Sequence, residues 1–126
     1  MNFLIDTHVL LWHMTDDPRL KKKYSDAIGD EKNEIFVSKA TLWEVAIKVS
    51  INKLTLTKPI LEWKNYFLDE FFLELDIDHQ DFNTLSQLPF HHNDPFDRLI
   101  ICQAMTRNFT IITDDKKFQL YPVQLL

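Results

Sequence analysis

Short apolar runs that stop at a polar or acidic residue recur along this chain, and helical spacing follows most of them. Phe3-Leu4-Ile5 stops at Asp6, Glu34-Ile35-Phe36-Val37 at Ser38, and Thr110-Ile111-Ile112-Thr113 at Asp114-Asp115. Runs this short and this evenly apolar suit strands buried on both faces, the habit of parallel sheets. Helices are predicted over His8 to Met14, Arg19 to Ile28 with closure at Gly29, and from the cap Ser38 to about Ser50 or Ile51. Further helices are predicted over Pro59 to Phe72, Asp78 to Gln87, and Asp94 to Asn108. Leu73-Glu74-Leu75 and a segment near Pro122 to Leu125 add brief strands. The alternation predicts an α/β domain with a mostly parallel sheet of about four to five short strands between helices.

In such sheets, ligands bind at the edge where strands lead into helices. Asp6 stands at that edge, although an N-cap for the next helix is an equally good account of it. In the helix after the second strand, Ala40, Trp43, Ala46 and Ile47 form an apolar stripe that leaves Glu44 and Lys48 on a remaining face. An i,i+4 surface pair explains those two as well. Asp94 is placed as the cap of the last long helix, with Pro95 at its first position and Asp97 in its first turn. Helix initiation accounts for one of these two carboxylates; the second needs another reason.

With 126 residues, the chain is read as a single domain over 1–126 with a real core. Hydrophobic residues at 45% and charged residues at 26% are those of a soluble globular protein. Cys102 is the only cysteine, so a disulfide framework and a cysteine-based zinc site are excluded within one chain, and a cytoplasmic setting is expected. No apolar run of membrane-spanning length is present, and no membrane partner is expected. A net charge of −5 argues against a general nucleic-acid coat protein but leaves room for a nucleic-acid enzyme with acids at its centre. With Gly29 as the only glycine, no Gly-rich phosphate loop can form.

Asp6, Glu44, Asp97 and the pair Asp114-Asp115 all follow strands or begin helices. Right-handed crossovers in a parallel sheet carry such groups to one edge. Converging carboxylates repel unless a cation sits among them, and all-oxygen ligation suits Mg2+ or Mn2+ rather than zinc. His8, His91 and His92 are better explained by ordinary loop and helix roles than as ligands. Lys48, Arg98, Lys116 and Lys117 lie within about a turn of these acids. They are placed to flank a bound backbone, and are equally well explained as solvated charges.

These residues carry a resemblance. Phe3-Leu4-Ile5-Asp6-Thr7-His8, Ser38-x-x-Thr41-Leu42-Trp43-Glu44-Val45-Ala46, Asp94-Pro95-Phe96-Asp97-Arg98-Leu99-Ile100-x-x-Gln103-Ala104 and Thr113-x-Asp115-x-x-Phe118 occur in order. The chain resembles PIN-domain ribonucleases, and more narrowly the VapC-type toxins of toxin–antitoxin modules. The resemblance implies a PIN-like three-layer sandwich and cleavage of RNA dependent on Mg2+ or Mn2+. It also implies a cognate antitoxin and homodimer contacts. Asp6, Glu44 and Asp97 fall on the family's metal-binding acids and Asp115 on its more variable fourth acid, with Asp114 beside it as a competitor. Asn52 and Asn108 stand where relatives often have glycine.

A phosphoacceptor receiver-type signalling module shares the length, the α/β pattern and Mg2+. It would require an acid ending a mid-chain strand, where this chain has Ser38. A metal-free binding module is the third reading, disfavoured by acids at all four positions. The helices His8 to Met14 and Pro59 to Phe72 carry more apolar surface than one sheet covers. About half of it is expected to pack between helices and the rest to form an exposed interaction patch.

Overall fold

The computed structural model describes residues 1–126, apart from the side chains of Phe67 and Glu70. The chain runs β1 (Asn2–Ile5), α1 (Thr7–Met14), α2 (Lys22–Gly29), β2 (Glu34–Ser38), α3 (Lys39–Ser50), α4 (Ile60–Trp63) and α5 (Asp69–Phe71). It continues through β3 (Leu73–Leu75), α6 (His79–Gln87), α7 (Pro95–Arg107), β4 (Thr110–Ile112) and β5 (Gln124–Leu125). The five strands form one sheet in the order β3-β2-β1-β4-β5, every pair parallel.

The first strand of the chain is therefore the middle strand of the sheet. Leu4 registers with Phe36 on one side and Ile111 on the other, and Ile5 with Val37 and Ile112. Successive residues point to opposite faces. Leu4 enters a core with Ile100, Ile101, Ile111 and Phe118 on the α7 side. Phe3 and Ile5 enter another with Val9, Leu10, Val45 and Trp63. Helices thus cover both faces, which is the three-layer arrangement the resemblance implies, and the sheet falls at the upper end of the expected strand count. The order differs from the 2-1-3-4-5 order of receiver-type modules. Moreover β2 ends in Ser38, whose hydroxyl bonds Gln103. The receiver alternative has no support here.

The sequence expectations for α2 and α3 need correction. The second helix starts at Lys22, not Arg19, because Asp17 accepts from the Arg19 N–H at 2.9 Å and binds its guanidinium, holding that segment in a turn. Gly29 lies inside this helix with no positive φ. The buried face of α3 is Ala40, Thr41, Glu44 and Val45, while Trp43 and Ile47 of the expected stripe are exposed. α3 is apolar on several sides, so periodicity alone could not select the side that meets the sheet.

The predicted helix from Pro59 to Phe72 is broken. α4 passes through a π-helical turn, Lys64–Leu68, before α5. A π turn adds one residue to the repeat. It lets Trp63 and Leu68, five positions apart in the sequence, both reach the core, where Phe72 joins them. Trp63 and Phe72 therefore do not belong to an exposed patch, whereas Leu61, Tyr66 and Phe71 are exposed. Phe67, within the same predicted helix, lies outside the described side chains. Asn52 and Asn108 adopt the left-handed conformation at φ 59° and 56°, so asparagine serves where glycine is the commoner choice.

Candidate active site

Asp6 follows the last residue of β1 and caps α1: its Oδ1 accepts from the Val9 N–H at 2.8 Å. Its Oδ2 accepts from the Thr113 hydroxyl. The same hydroxyl oxygen accepts from the Asp115 N–H at 3.0 Å, and the Tyr24 hydroxyl donates to the Thr113 carbonyl at 2.7 Å. The ends of β1 and β4 are thereby tied together through side chains. Burial raises the pKa of Asp6, and the hydrogen bonds from Thr113 and Val9 oppose that rise only in part. Capping and site membership, alternatives in the sequence, are compatible uses of its two oxygens.

Glu44 lies on α3, whose start is fixed by Ser38. The Ser38 Oγ accepts from the Ala40 N–H at 2.9 Å and donates to Gln103 of α7. The Thr7 hydroxyl bonds that of Thr41 at 3.1 Å, joining the starts of α1 and α3. Glu44 is 5% exposed, so its place is the buried side of α3 and not the outer face. Its Oε2 pairs with the Lys48 ammonium at 2.8 Å, while its Oε1 is buried with no hydrogen-bond partner among the described residues.

Asp97 stands in the first turn of α7. Asp94 caps this helix, its Oδ1 accepting from the N–H groups of Phe96 and Asp97 at 2.9 Å each. The Asp97 carboxyl is pushed up to about 8, chiefly by burial and then by the negative charges of Asp94, Asp6, Glu44 and Asp115. Asp115 completes the group: its Oδ1 caps the turn Lys116–Leu120 by accepting from the Lys117 N–H, and its Oδ2 lies 2.8 Å from His92 Nε2. The same nitrogen is 3.1 Å from Asp97 Oδ2. One donor atom each from His92, Asp97 and Asp115 lie within 4.8 Å of one another, and the charges of Asp6 and Glu44 act on Asp97 as well. Asp114 turns away to Lys21 at 2.6 Å, so of the two adjacent acids Asp115 faces the cluster.

His92, for which the sequence favoured an ordinary loop role over ligation, stands against both Asp97 and Asp115. Its one signal was its position two residues before the cap of α7. Arg98 requires the opposite correction: it is buried and donates to the carbonyls of Leu88, Pro89 and His92 at 3.1, 3.0 and 3.2 Å. It cannot also flank a substrate backbone. Lys116 and Lys117 are exposed.

The donors fit a hard divalent cation. They are mainly carboxylate oxygens, one of them buried without a partner among the described residues, around an acid that its neighbours disfavour ionising. A cleft of about 350 Å3 lined by Asp6, His8, Trp12, Arg19, Asp114 and Asp115 opens beside them. A groove of about 380 Å3, lined by residues of α1 and by Leu54, Thr55, Leu56, Thr57 and Trp63, shares His8, Trp12 and Arg19 with that cleft.

A parallel α/β sandwich whose acids meet at the C-terminal edge of the central strands defines a class of protein, and comparison with known proteins identifies it. The PIN domain profile matches residues 3–123, and the chain belongs to the PIN domain family. Ribonuclease VapC22 of Mycobacterium tuberculosis is 28% identical over 117 residues, which span 92% of this chain and 88% of that protein. The fold matches that in the crystal structure of VapBC2 from Rickettsia felis bound to a DNA fragment from their promoter. There the TM-score is 0.77 at 18% identity, covering 100% of this chain and 98% of the other. It also matches DNA-bound VapBC from Salmonella typhimurium, with a TM-score of 0.72 at 18% identity, covering 100% and 97%.

Proposed function

We propose that this chain is a metal-dependent endoribonuclease, the toxin of a toxin–antitoxin pair, which hydrolyses RNA phosphodiester bonds with Mg2+ or Mn2+. The observation that carries the reading is the crowding of Asp6, Glu44 and Asp115 around Asp97, with Glu44 Oε1 buried and unpartnered among the described residues. A divalent cation among them would offset the mutual repulsion of these carboxylates and give that oxygen a partner. Membership of the PIN domain family and the similarity to a ribonuclease support RNA as the substrate.

Asp6, Glu44, Asp97 and Asp115 would hold the metal. A divalent cation supplies a more acidic water and neutralises charge on the scissile phosphate. The protein's part is to fix the oxygens: Thr113 and the Val9 N–H orient Asp6, the Asp94 cap sets the first turn that carries Asp97, and the Lys117 N–H holds Asp115. Exposed Lys116 and Lys117, beside Asp115, guide the RNA backbone.

The partner is an antitoxin segment seated in the groove beside α1, near enough to the acids to obstruct them. A second copy of the chain is the other partner. Trp43, Ile47 and Ile51 are exposed at four-residue spacing along and just beyond α3, which supports a homodimer. The protein works in the cytoplasm: its single cysteine is a buried free thiol, and no described helix is long and apolar enough to cross a membrane.

The test is cleavage by the purified chain with and without added metal, and sequencing of RNA ends after expression without the antitoxin. Asp6→Asn, Glu44→Gln and Asp97→Asn should each lose at least about 100-fold in rate while keeping the parental circular dichroism. Asp94→Asn should be mild, because asparagine caps about as well. An Asp97→Asn protein that cleaves at the parental rate sinks the assignment.

A further inference from the structure

The loop that leads into α7 contains one imidazole whose polar atoms are all committed. The backbone N–H of His92 donates to the Tyr121 hydroxyl at 2.8 Å, and its carbonyl accepts from Arg98 at 3.2 Å. In the ring, Nδ1 accepts from the Asp94 N–H at 3.1 Å, while Nε2 meets Asp115 at 2.8 Å and Asp97 at 3.1 Å. The loop is strapped on both sides. Tyr121 also accepts from the His91 N–H at 3.0 Å and donates to the Pro89 carbonyl at 2.7 Å. Arg98 holds the carbonyls of Leu88 and Pro89, and Phe118 packs edge-on to the His92 ring at 5.7 Å.

A ring nitrogen that accepts a backbone N–H carries no proton, so in His92 the proton is on Nε2. Nε2 then faces the two carboxylates as a donor. For Nε2 to ligate a cation, the proton would have to move to Nδ1 and point at the Asp94 N–H, donor against donor. Asp97 begins α7 and Asp115 follows β4, so these two acids come from different elements, and His92 bridges them.

We propose that His92 is a positioning residue and not a metal ligand: its Nε2–H spans the Asp97 and Asp115 carboxylates and sets which oxygens face the cation. The inference rests on the metal-dependent reading above. Partners that orient ligating groups typically change metal affinity 10- to 100-fold when lost.

Two measurements test it. Calorimetric titration with Mn2+ should show His92→Ala weakened by roughly 10- to 100-fold, with His92→Gln recovering most of the loss because its amide nitrogen can donate from about the same place. Long-range 1H–15N correlation spectra of the parent imidazole should show the proton on Nε2 both without metal and with saturating Mg2+. Any pattern with a proton on Nδ1 in the loaded protein overturns the proposal, and so does equal affinity of the Ala and Gln variants, or parental affinity of the Ala variant. If His92→Ala does not fold, the parent spectra decide. A parent that binds no Mn2+ defeats the metal-dependent reading and this proposal with it. A parent that binds while the variants fail the comparison defeats the proposal alone.

Discussion

Glu44 gives one carboxylate oxygen to Lys48 at 2.8 Å and keeps the other buried with no hydrogen-bond partner among the described residues. The pair is lopsided, since the lysine side chain is 33% exposed and the glutamate side chain 6%. Lys48 partly neutralises a charge that a metal would neutralise better. Lys48→Met should lower metal-free stability by about 1 to 2 kcal/mol, between the values for exposed and buried pairs. Mn2+ should then raise the melting temperature more in the variant than in the parent, because the ion replaces the missing cation. Scanning fluorimetry of both proteins with and without Mn2+ checks this; equal metal shifts would mean that Lys48 does not share the site's charge.

Asp97 makes the metal-free protein sensitive to pH. Burial and the surrounding negative charges push its carboxyl up to about 8 in the folded chain, from an ordinary 3.8. The folded state thus binds the proton more tightly, and the resulting stability is fully present below the unfolded pKa and is lost as pH rises through the folded one. Metal-free stability should decline between about pH 4 and 8 and level off above. Asp97→Asn should flatten most of that decline, and saturating Mg2+ should do the same in the parent. Urea unfolding across this range in chelator-treated buffer is the measurement, and a stability that rises over the same interval would refute the sign.

Much of this arrangement was legible in the sequence, for physical reasons. Phe3-Leu4-Ile5 and Thr110-Ile111-Ile112 are too short and too apolar to be anything but covered strands, and an acid directly after such a strand must emerge at its edge. Asp94-Pro95-x-Asp97 is a helix start on local grounds alone. What stayed hidden depends on long-range contacts. The buried face of α3 is decided by what α7 and the sheet place opposite it, and the π turn by a core that needs both Trp63 and Leu68. Arg98 reads as surface charge until the carbonyls of Leu88, Pro89 and His92 are brought around it. His92 likewise takes its meaning from Asp115, 23 positions away in the sequence.

Arg98 and the pair Lys116-Lys117 should separate cleanly by experiment. Arg98→Met strips a donor from three carbonyls, and leaving such groups unpaired costs roughly 1 to 3 kcal/mol each at full burial; the variant should lose about 3 kcal/mol of stability. In an Asp97→Asn background, where RNA is bound but not cut, Arg98→Met should leave the salt dependence of binding unchanged. Replacing Lys116 and Lys117 by Ala should flatten the slope of log K against log salt by about 1, as expected when up to two phosphate contacts are lost. Filter binding at several salt concentrations measures both, and an altered slope in Arg98→Met would contradict its buried role.

The groove beside α1 makes the antitoxin contact testable without touching the acids. Its floor, with Leu11, Met14, Leu54 and Leu56, also packs against the core, so substitutions there would confuse binding with folding. Thr55 and Thr57 line the same groove and are exposed. Arginine at both positions adds bulk and charge where an apolar segment would lie, and costs the core little. Thr55→Arg/Thr57→Arg should therefore keep parental RNA cleavage and melting temperature, yet escape inhibition by the antitoxin and no longer co-purify with it. The groove and the acid cleft share His8, Trp12 and Arg19, so a segment seated in one crowds the entrance to the other. Co-expression followed by affinity capture, with cleavage assayed on the captured material, decides the matter. Retained capture with retained inhibition would place the antitoxin on another face.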